Sequence, residues 1–384
     1  MEDKPENDWD PRSDGVLKNQ TAAYDEMRRR CPVAHSDYLH WSLFRHADVM
    51  QVLDDPQTFS NAVSSYLSVP NGMDPPQHTR YRQLLDPYFS AQRMRAFEPA
   101  CEAIAQALAA QLPRDGEIEF MSEFACEFAL QIQCAFLGWP PAWRTPLLEW
   151  IRKNREATLR ADKGEMERVA LEFDGYIRTL LAQRRAAGDA APDDITTSLL
   201  RAQIDQKPLQ DEEIVSIVRN WTVGELGTIA ACVGILAQYL AEHPSLQQDL
   251  RTEPALLSDT IDEILRIHAP LITNRRVTTK PVEIGGRHIP AGQRITIMWA
   301  SANRDEAVFG APDACRPAEH AAHNLLYGAG IHACPGAPLA RLELRVVMHA
   351  LLAHTRRISL VPGNPPVSEV YPGAGFASLP LRIE

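Results

Sequence analysis

Tyr327-Gly328-Ala329-Gly330-Ile331-His332-Ala333-Cys334-Pro335-Gly336 runs straight into Ala337-Pro338-Leu339-Ala340-Arg341. Glycine and proline fix a tight, nonregular backbone around one cysteine. The chain then turns helical at once, with Leu339, Leu342, Val346 and Ala350 recurring on one face. A lone cysteine on a stiff loop beside a helix N-terminus is placed to be a thiolate, because backbone N–H groups and the helix dipole favour negative sulfur. Cys31, Cys101, Cys126, Cys134, Cys232, Cys315 and Cys334 are scattered without a CxxC, so none completes a zinc site or an evident disulfide with it.

This stretch resembles the haem-binding loop of the cytochromes P450: aromatic, Gly, any, Gly, any, His, any, Cys, any, Gly, then Leu-Ala-Arg. Tyr327 stands where phenylalanine is usual. The resemblance implies that Cys334 is the axial iron ligand of haem b (heme b, iron protoporphyrin IX). It places His332 at a propionate, and Tyr327 and Gly336 beside the cofactor. A thiolate ligand pushes electron density into the iron and favours O–O cleavage. Hydrogen bonds to sulfur tune that push, although Pro335 has no N–H to give.

Haem brings two propionates that need cations. His78 and Arg82 lie four apart on a predicted helix and match the His-any-any-any-Arg of the family's third main helix. Arg276 matches the arginine opening the strand after the Glu-any-any-Arg helix, with Arg275 as the neighbouring register. Glu263 and Arg266 supply that Glu-any-any-Arg, a buried charge network in the family, and Arg316 stands where its third partner is often found. Ala302-Asn303-Arg304-Asp305 resembles a structural turn of the same family.

The distal helix departs from the pattern. P450 monooxygenases usually carry Ala/Gly-Gly-any-Asp/Glu-Thr, whose acid and alcohol relay protons to the reacting oxygen. Counting back from His243-Pro244 aligns Gly224-Glu225-Leu226-Gly227-Thr228. Thr228 keeps the alcohol, and Gly227 occupies the acid position. Glu225 is three residues from Thr228 and shares its helix face. Two readings stay open for Glu225: proton delivery through water or a polar substrate contact, and a merely solvated or salt-bridged side chain. By position, Leu226, Gly227, Thr228, residues 268–274 and Tyr66 to Asn71 line or border the cavity. Leu226, Leu271 and Ile272 favour an apolar substrate there, while Asn274 and Glu225 offer polar contacts.

The chain has 384 residues, 45% of them hydrophobic, and a net charge of -11, which argues against a nucleic-acid or membrane-surface binder. Its polar start carries no apolar signal or anchor, and the scattered cysteines suit a reducing compartment, so a cytoplasmic location and no membrane are expected. Helical patterning is read at 78–109 with a break near Phe89-Ser90. Further helices are read at 118–137, 142–158, 163–187, 211–242, 244–250 and 256–267. The longest run spans roughly 48 Å at the α-helical rise. After residue 270, short strands joined by glycine turns follow at 276–279, 281–284 and 294–297, and two more close the chain. The fold expected is mainly α with a smaller β-rich part, the cytochrome P450 fold. Residues 1–20 are expected to be a flexible segment and 21–384 a single haem domain.

The implied activity is that of an iron-dependent oxidoreductase. As a monooxygenase it would insert one oxygen atom from O2 into a small or medium apolar organic substrate, with Thr228 and Glu225 as the catalytic pair. Electrons would come from separate partners, a ferredoxin and an NAD(P)H-dependent ferredoxin reductase, docking on the cysteine side near Arg341 and Arg345. Gly227 motivates a peroxide-driven peroxygenase as the alternative, and a noncatalytic haem or ligand-binding protein is the third reading. The retained Thr228 argues against both.

Overall fold

The computed structural model describes residues 6–384. Its longer helices are α1 (Gln20–Arg30), α2 (His46–Asp54), α3 (Gln77–Leu85), α4 (Ala91–Ala109), α5 (Cys126–Leu137) and α6 (Arg144–Arg160). They continue with α7 (Lys163–Ala187), α8 (Asp211–Glu242), α9 (Pro244–Thr252), α10 (Leu257–His268) and α11 (Ala337–His354). The strands that matter here are β1 (Val33–Ser36), β2 (His40–Leu43), β3 (Phe59–Ser60), β4 (Gly116–Glu119), β5 (Thr273–Thr278), β6 (Arg294–Met298), β7 (Ile358–Leu360) and β8 (Pro380–Ile383).

α8 is the axis of the molecule, and its ends are written in the sequence. Gln210 and Glu213 close a capping box at its start, and Asp211, Glu212 and Glu213 put negative charge against the N-terminal dipole. It stops at His243 because Pro244 keeps the preceding residue out of the helical region. By length and composition α8 meets the test for a bilayer-spanning helix, yet 72% of its most apolar window is buried inside the protein. It packs against α5, α7, α10 and α11, so its apolar circumference is a core surface.

Two sheets flank this helical body. One is five-stranded in the order β1-β2-β6-β5-β3, parallel between β2 and β6 and antiparallel elsewhere. The other has the order β7-β8-β4. β4 corrects the expected helix over 118–137. Ile118 pairs with Leu381, so the first residues form a strand, and regular α-helix begins only at Cys126. The partner strand lies more than 250 residues away, beyond the reach of local patterning.

Residues 1–5 of the segment expected to be flexible lie outside the described residues, and Asp8 and Trp9 of the remainder are packed. Trp9 is buried, with its ring edge-on to Tyr24 and Phe44 at centroid distances of 6.3 and 5.2 Å. Asp8 pairs with Arg287 at 3.1 Å and accepts the His35 N–H at 2.7 Å. One large aromatic and one ion pair hold the segment against α1 and the first sheet.

Candidate active site

The Cys334 loop is clamped from three sides. Its own Cys334 N–H donates to the Tyr327 carbonyl at 2.8 Å. Arg82, on α3, donates to the carbonyls of Ile331 and Ala333, both at 3.0 Å, and pairs with Asp86 at 2.6 Å. From α11, Arg341 lies 4.6 Å from the Tyr327 ring centroid and pairs with Asp262 at 2.8 Å. Gly330 adopts φ +68, and a Cβ there would stand 2.7 Å from the Leu53 carbonyl, so only glycine fits where the loop passes the end of α2. Gly336 is less constrained by its neighbours: a Cβ would meet Cys334 Sγ at an ordinary 3.8 Å.

What Gly336 does supply is its amide. Burial, the largest influence, raises the Cys334 thiol pKa, and the backbone N–H groups of Gly336 and Ala337 pull the other way by bonding the sulfur. The residue is open to solvent by area and yet surrounded by protein atoms, so it lines a cavity. A coordinated metal ion holds such a thiol deprotonated outright.

Beside the loop, His78, Arg276 and His332 converge. The two imidazole rings lie 4.1 Å apart between centroids. Burial, then the neighbouring His78 and Arg276, pushes the His332 pKa down to about 3. Burial lowers His78 as well, with Arg82 adding to it, and takes Arg276 down to about 10 against only the opposing charge of Asp74. His332 Nε2 is buried without a hydrogen-bond partner, and the Arg276 guanidinium bonds only the Arg275 carbonyl, at 2.7 Å, among the described residues. Three basic groups held together with so little negative charge suit a dianion. The two propionates of haem meet that demand, so the residues present fit the group.

Across from the loop, the otherwise buried α8 opens at Val223, Gly224 and Gly227. Thr228 is half-buried, and its hydroxyl has no hydrogen bond among the described residues. Glu225 is partly buried and makes no ion pair among the described residues: its carboxyl meets that of Glu343 from α11, and its Oε1 is buried and otherwise unpartnered. Leu226 and Ile272, expected at the cavity, are buried in two separate core clusters. Val223, which the sequence did not single out, is 52% exposed and is the open apolar side chain of this stretch.

Residues 66–71 are tied to α8. Ser216 Oγ donates to the Leu67 carbonyl at 3.0 Å and accepts the Val69 N–H at 2.9 Å. Asn220 donates to the Val69 carbonyl at 3.0 Å. Arg219 bridges the Leu67 carbonyl at 3.1 Å and Asp174 of α7 at 2.9 Å. Sequence reasoning passed over these three, although polar residues at helical spacing in an apolar run are a legible signal.

The Glu263–Arg266 pair is buried, with its two nitrogen–oxygen contacts at 2.8 and 2.9 Å. Its third partner is His320 and not Arg316: His320 Nδ1 lies 2.6 Å from Glu263 Oε1, while the exposed Arg316 guanidinium pairs with Glu319. Arg316 contributes its backbone N–H to Glu263 at 3.0 Å. Arg341 and Arg345, expected to attract an acidic partner, are already engaged by Asp262 and Glu98.

The family model described as Cytochrome P450 matches residues 151–383. The cyclomarin C epoxidase CymV of Salinispora arenicola (strain CNS-205) is 32% identical over 357 residues, 87% of this chain and 88% of that relative. The vitamin D(3) 25-hydroxylase of Pseudonocardia autotrophica is 31% identical over 364 residues, covering 90% and 89%. A mutant of P450 EryK in complex with erythromycin B superposes with TM-score 0.86 at 26% identity, over 95% of this chain and 96% of that one. The chain belongs to the cytochrome P450 family: it has the P450 fold, its cofactor is haem b, and its class is that of the P450 monooxygenases.

Proposed function

We propose that this enzyme inserts one oxygen atom from O2 into a small or medium apolar organic substrate, reducing the other atom to water with electrons from separate redox partners. The observation that carries the reading is Cys334, on a loop clamped by Tyr327 and Arg82 and set across from the open stretch of α8 at Val223–Thr228. When bound, haem supplies the redox chemistry that activates O2. Cys334 ligates its iron, and His78, Arg276 and His332 hold the propionates. Arg82 acts by fixing the loop carbonyls, while Tyr327 and Gly336 set the sulfur through a carbonyl and an amide.

On the open stretch of α8 Val223 presents an apolar wall, and Gly224 and Gly227 leave room for substrate beside Thr228. The Thr228 hydroxyl orients a proton donor, and Glu225 is the acid one helical turn before it. Relatives named for an epoxidation and for a vitamin D(3) hydroxylation support a substrate that is mostly apolar. A ferredoxin and an NAD(P)H-dependent ferredoxin reductase are the proposed electron source, and the cytoplasm the proposed location. Gly227 in place of the usual acid favours peroxide use as the second reading.

The test is the absorption spectrum of the reduced protein with carbon monoxide, then product formation with reductase or with hydrogen peroxide alone. The red-shifted Soret band of a thiolate-ligated haem supports the reading; the shorter-wavelength band of a neutral ligand in fresh protein overturns it. Faster turnover with peroxide alone moves the assignment to a peroxygenase.

A further inference from the structure

α8 packs on α11, and at that contact each helix turns one glutamate inward. Glu343 is fully buried, and neither of its carboxyl oxygens has a donor among the described residues. Glu225 Oε1 is buried and equally unpartnered. No lysine or arginine forms an ion pair with either residue among those described. The two carboxyl groups lie within hydrogen-bonding reach of each other.

Two ionised carboxylates are both acceptors and cannot bond each other. Burying two unpaired negative charges side by side is also far costlier than keeping one proton. The surroundings press the same way. Cys101 of α4 and Cys232 of α8 face the pair and offer no positive charge; Asp262 of α10 lies beyond Cys232, and Cys334 feels Glu225 through space. Arg345, the cation whose field reaches Cys101, is already paired with Glu98.

We propose that Glu225 and Glu343 share one buried proton, donated by Glu343, and that this pair supplies the acid that position 227 lacks. The assignment rests on the monooxygenase reading above. Burial and the adjacent Glu225 raise the Glu343 carboxyl well above its ordinary range, and the bond from Glu343 pulls Glu225 back toward ionisation. Glu343 is the fully buried member and Glu225 the partly exposed one, so the proton resides on Glu343 and Glu225 is the accepting carboxylate. In the transfer, the Glu343 O–H bond breaks and a Glu225 O–H bond forms, leaving Glu343 as the carboxylate. Glu225 passes the proton to water at the Thr228 hydroxyl, and a proton from bulk solvent reaching the partly exposed Glu225 restores the pair. No electrons change hands. Glu343 acts through Glu225 and is a positioning residue, not one that touches substrate.

The experiment is infrared spectroscopy of the holoenzyme in water and in deuterium oxide, on the wild type, E225Q and E343Q. The wild type should show the carbonyl band of a protonated carboxyl group near neutral pH, shifted in deuterium oxide. E343Q should lose that band, because its amide donates to an ionised Glu225. E225Q should keep the band at a shifted frequency, because the proton stays on Glu343 and only its acceptor changes. A spectrum unchanged in E343Q overturns the pair; if E343Q does not fold, an unshifted band in E225Q does so.

NADPH consumption is the second readout, driven by a surrogate bacterial ferredoxin and reductase with vitamin D(3) as the probe. It should fall about a hundredfold in both variants, at the low end for loss of a general acid. Unchanged consumption in both overturns the catalytic assignment. The carbon monoxide spectrum of the wild type separates the two levels. A thiolate band with unaltered infrared spectra rejects the pair alone, whereas loss of the thiolate band rejects the parent reading.

Discussion

The cysteine loop and the middle of α8 face each other, and they are built on opposite principles. The loop is fixed by contacts that are mostly backbone: Cys334 to Tyr327, Arg82 to Ile331 and Ala333, and the Gly336 and Ala337 amides to sulfur. The α8 stretch is defined by side chains that reach other helices, with Glu225 to Glu343 and Arg219 to Asp174. A backbone-built site follows closely from its local sequence, because glycine and proline positions dictate it. A site built from side chains on packed helices depends on which helix lies opposite.

The comparison breaks outright if Cys334 is dispensable. Cys334→Ala should abolish the thiolate-type carbon monoxide spectrum and the turnover with it; a variant that keeps that band removes the basis for the loop's role. The next largest effect belongs to the buried network behind the loop. Arg266→Leu leaves Glu263 as an uncompensated buried charge and should cost about 3–5 kcal/mol, read by urea unfolding. A loss below 1 kcal/mol, on the same scale, would show that His320 alone satisfies Glu263.

On the α8 side, Arg219→Ala cuts the tie between residues 66–71 and α7. It should cost about 1.5–3 kcal/mol, the range for hydrogen bonds to charged groups. Limited proteolysis should then cut at 66–71 sooner than in the wild type, and unaltered cleavage argues against a tether. The last test is the pH dependence of stability from the Glu225–Glu343 pair. Both carboxyls are raised by burial, so the folded state keeps protons that the unfolded chain releases. Their contribution is therefore complete below the ordinary glutamate value and is lost as pH rises toward and through the raised values. The decline should approach about 1.4 kcal/mol per pH unit for each proton retained. E343Q should flatten that slope in melts at several pH values, and an unchanged slope contradicts a shared proton.

Much of this was legible from residues alone. The α8 span is bounded by Gln210 and Pro244, and the cluster of His78, Arg276 and His332 came from motif order. The misses share one cause. Residues 116–119 became a strand because Leu381 supplied the partner, and Trp9 docked its segment because Tyr24 and Phe44 were waiting. His320 displaced Arg316 as the third member of the Glu263 network because its ring is buried between Glu263 and Phe309, while the longer arginine side chain reaches solvent.

The sequence by itself determined the helix ends and the loop conformation, because capping, proline geometry and glycine freedom act over a few residues. Only the tertiary structure decided the surroundings of Glu225. The second carboxyl it meets lies more than a hundred positions away, and the buried contact between them does not exist until α8 and α11 have packed.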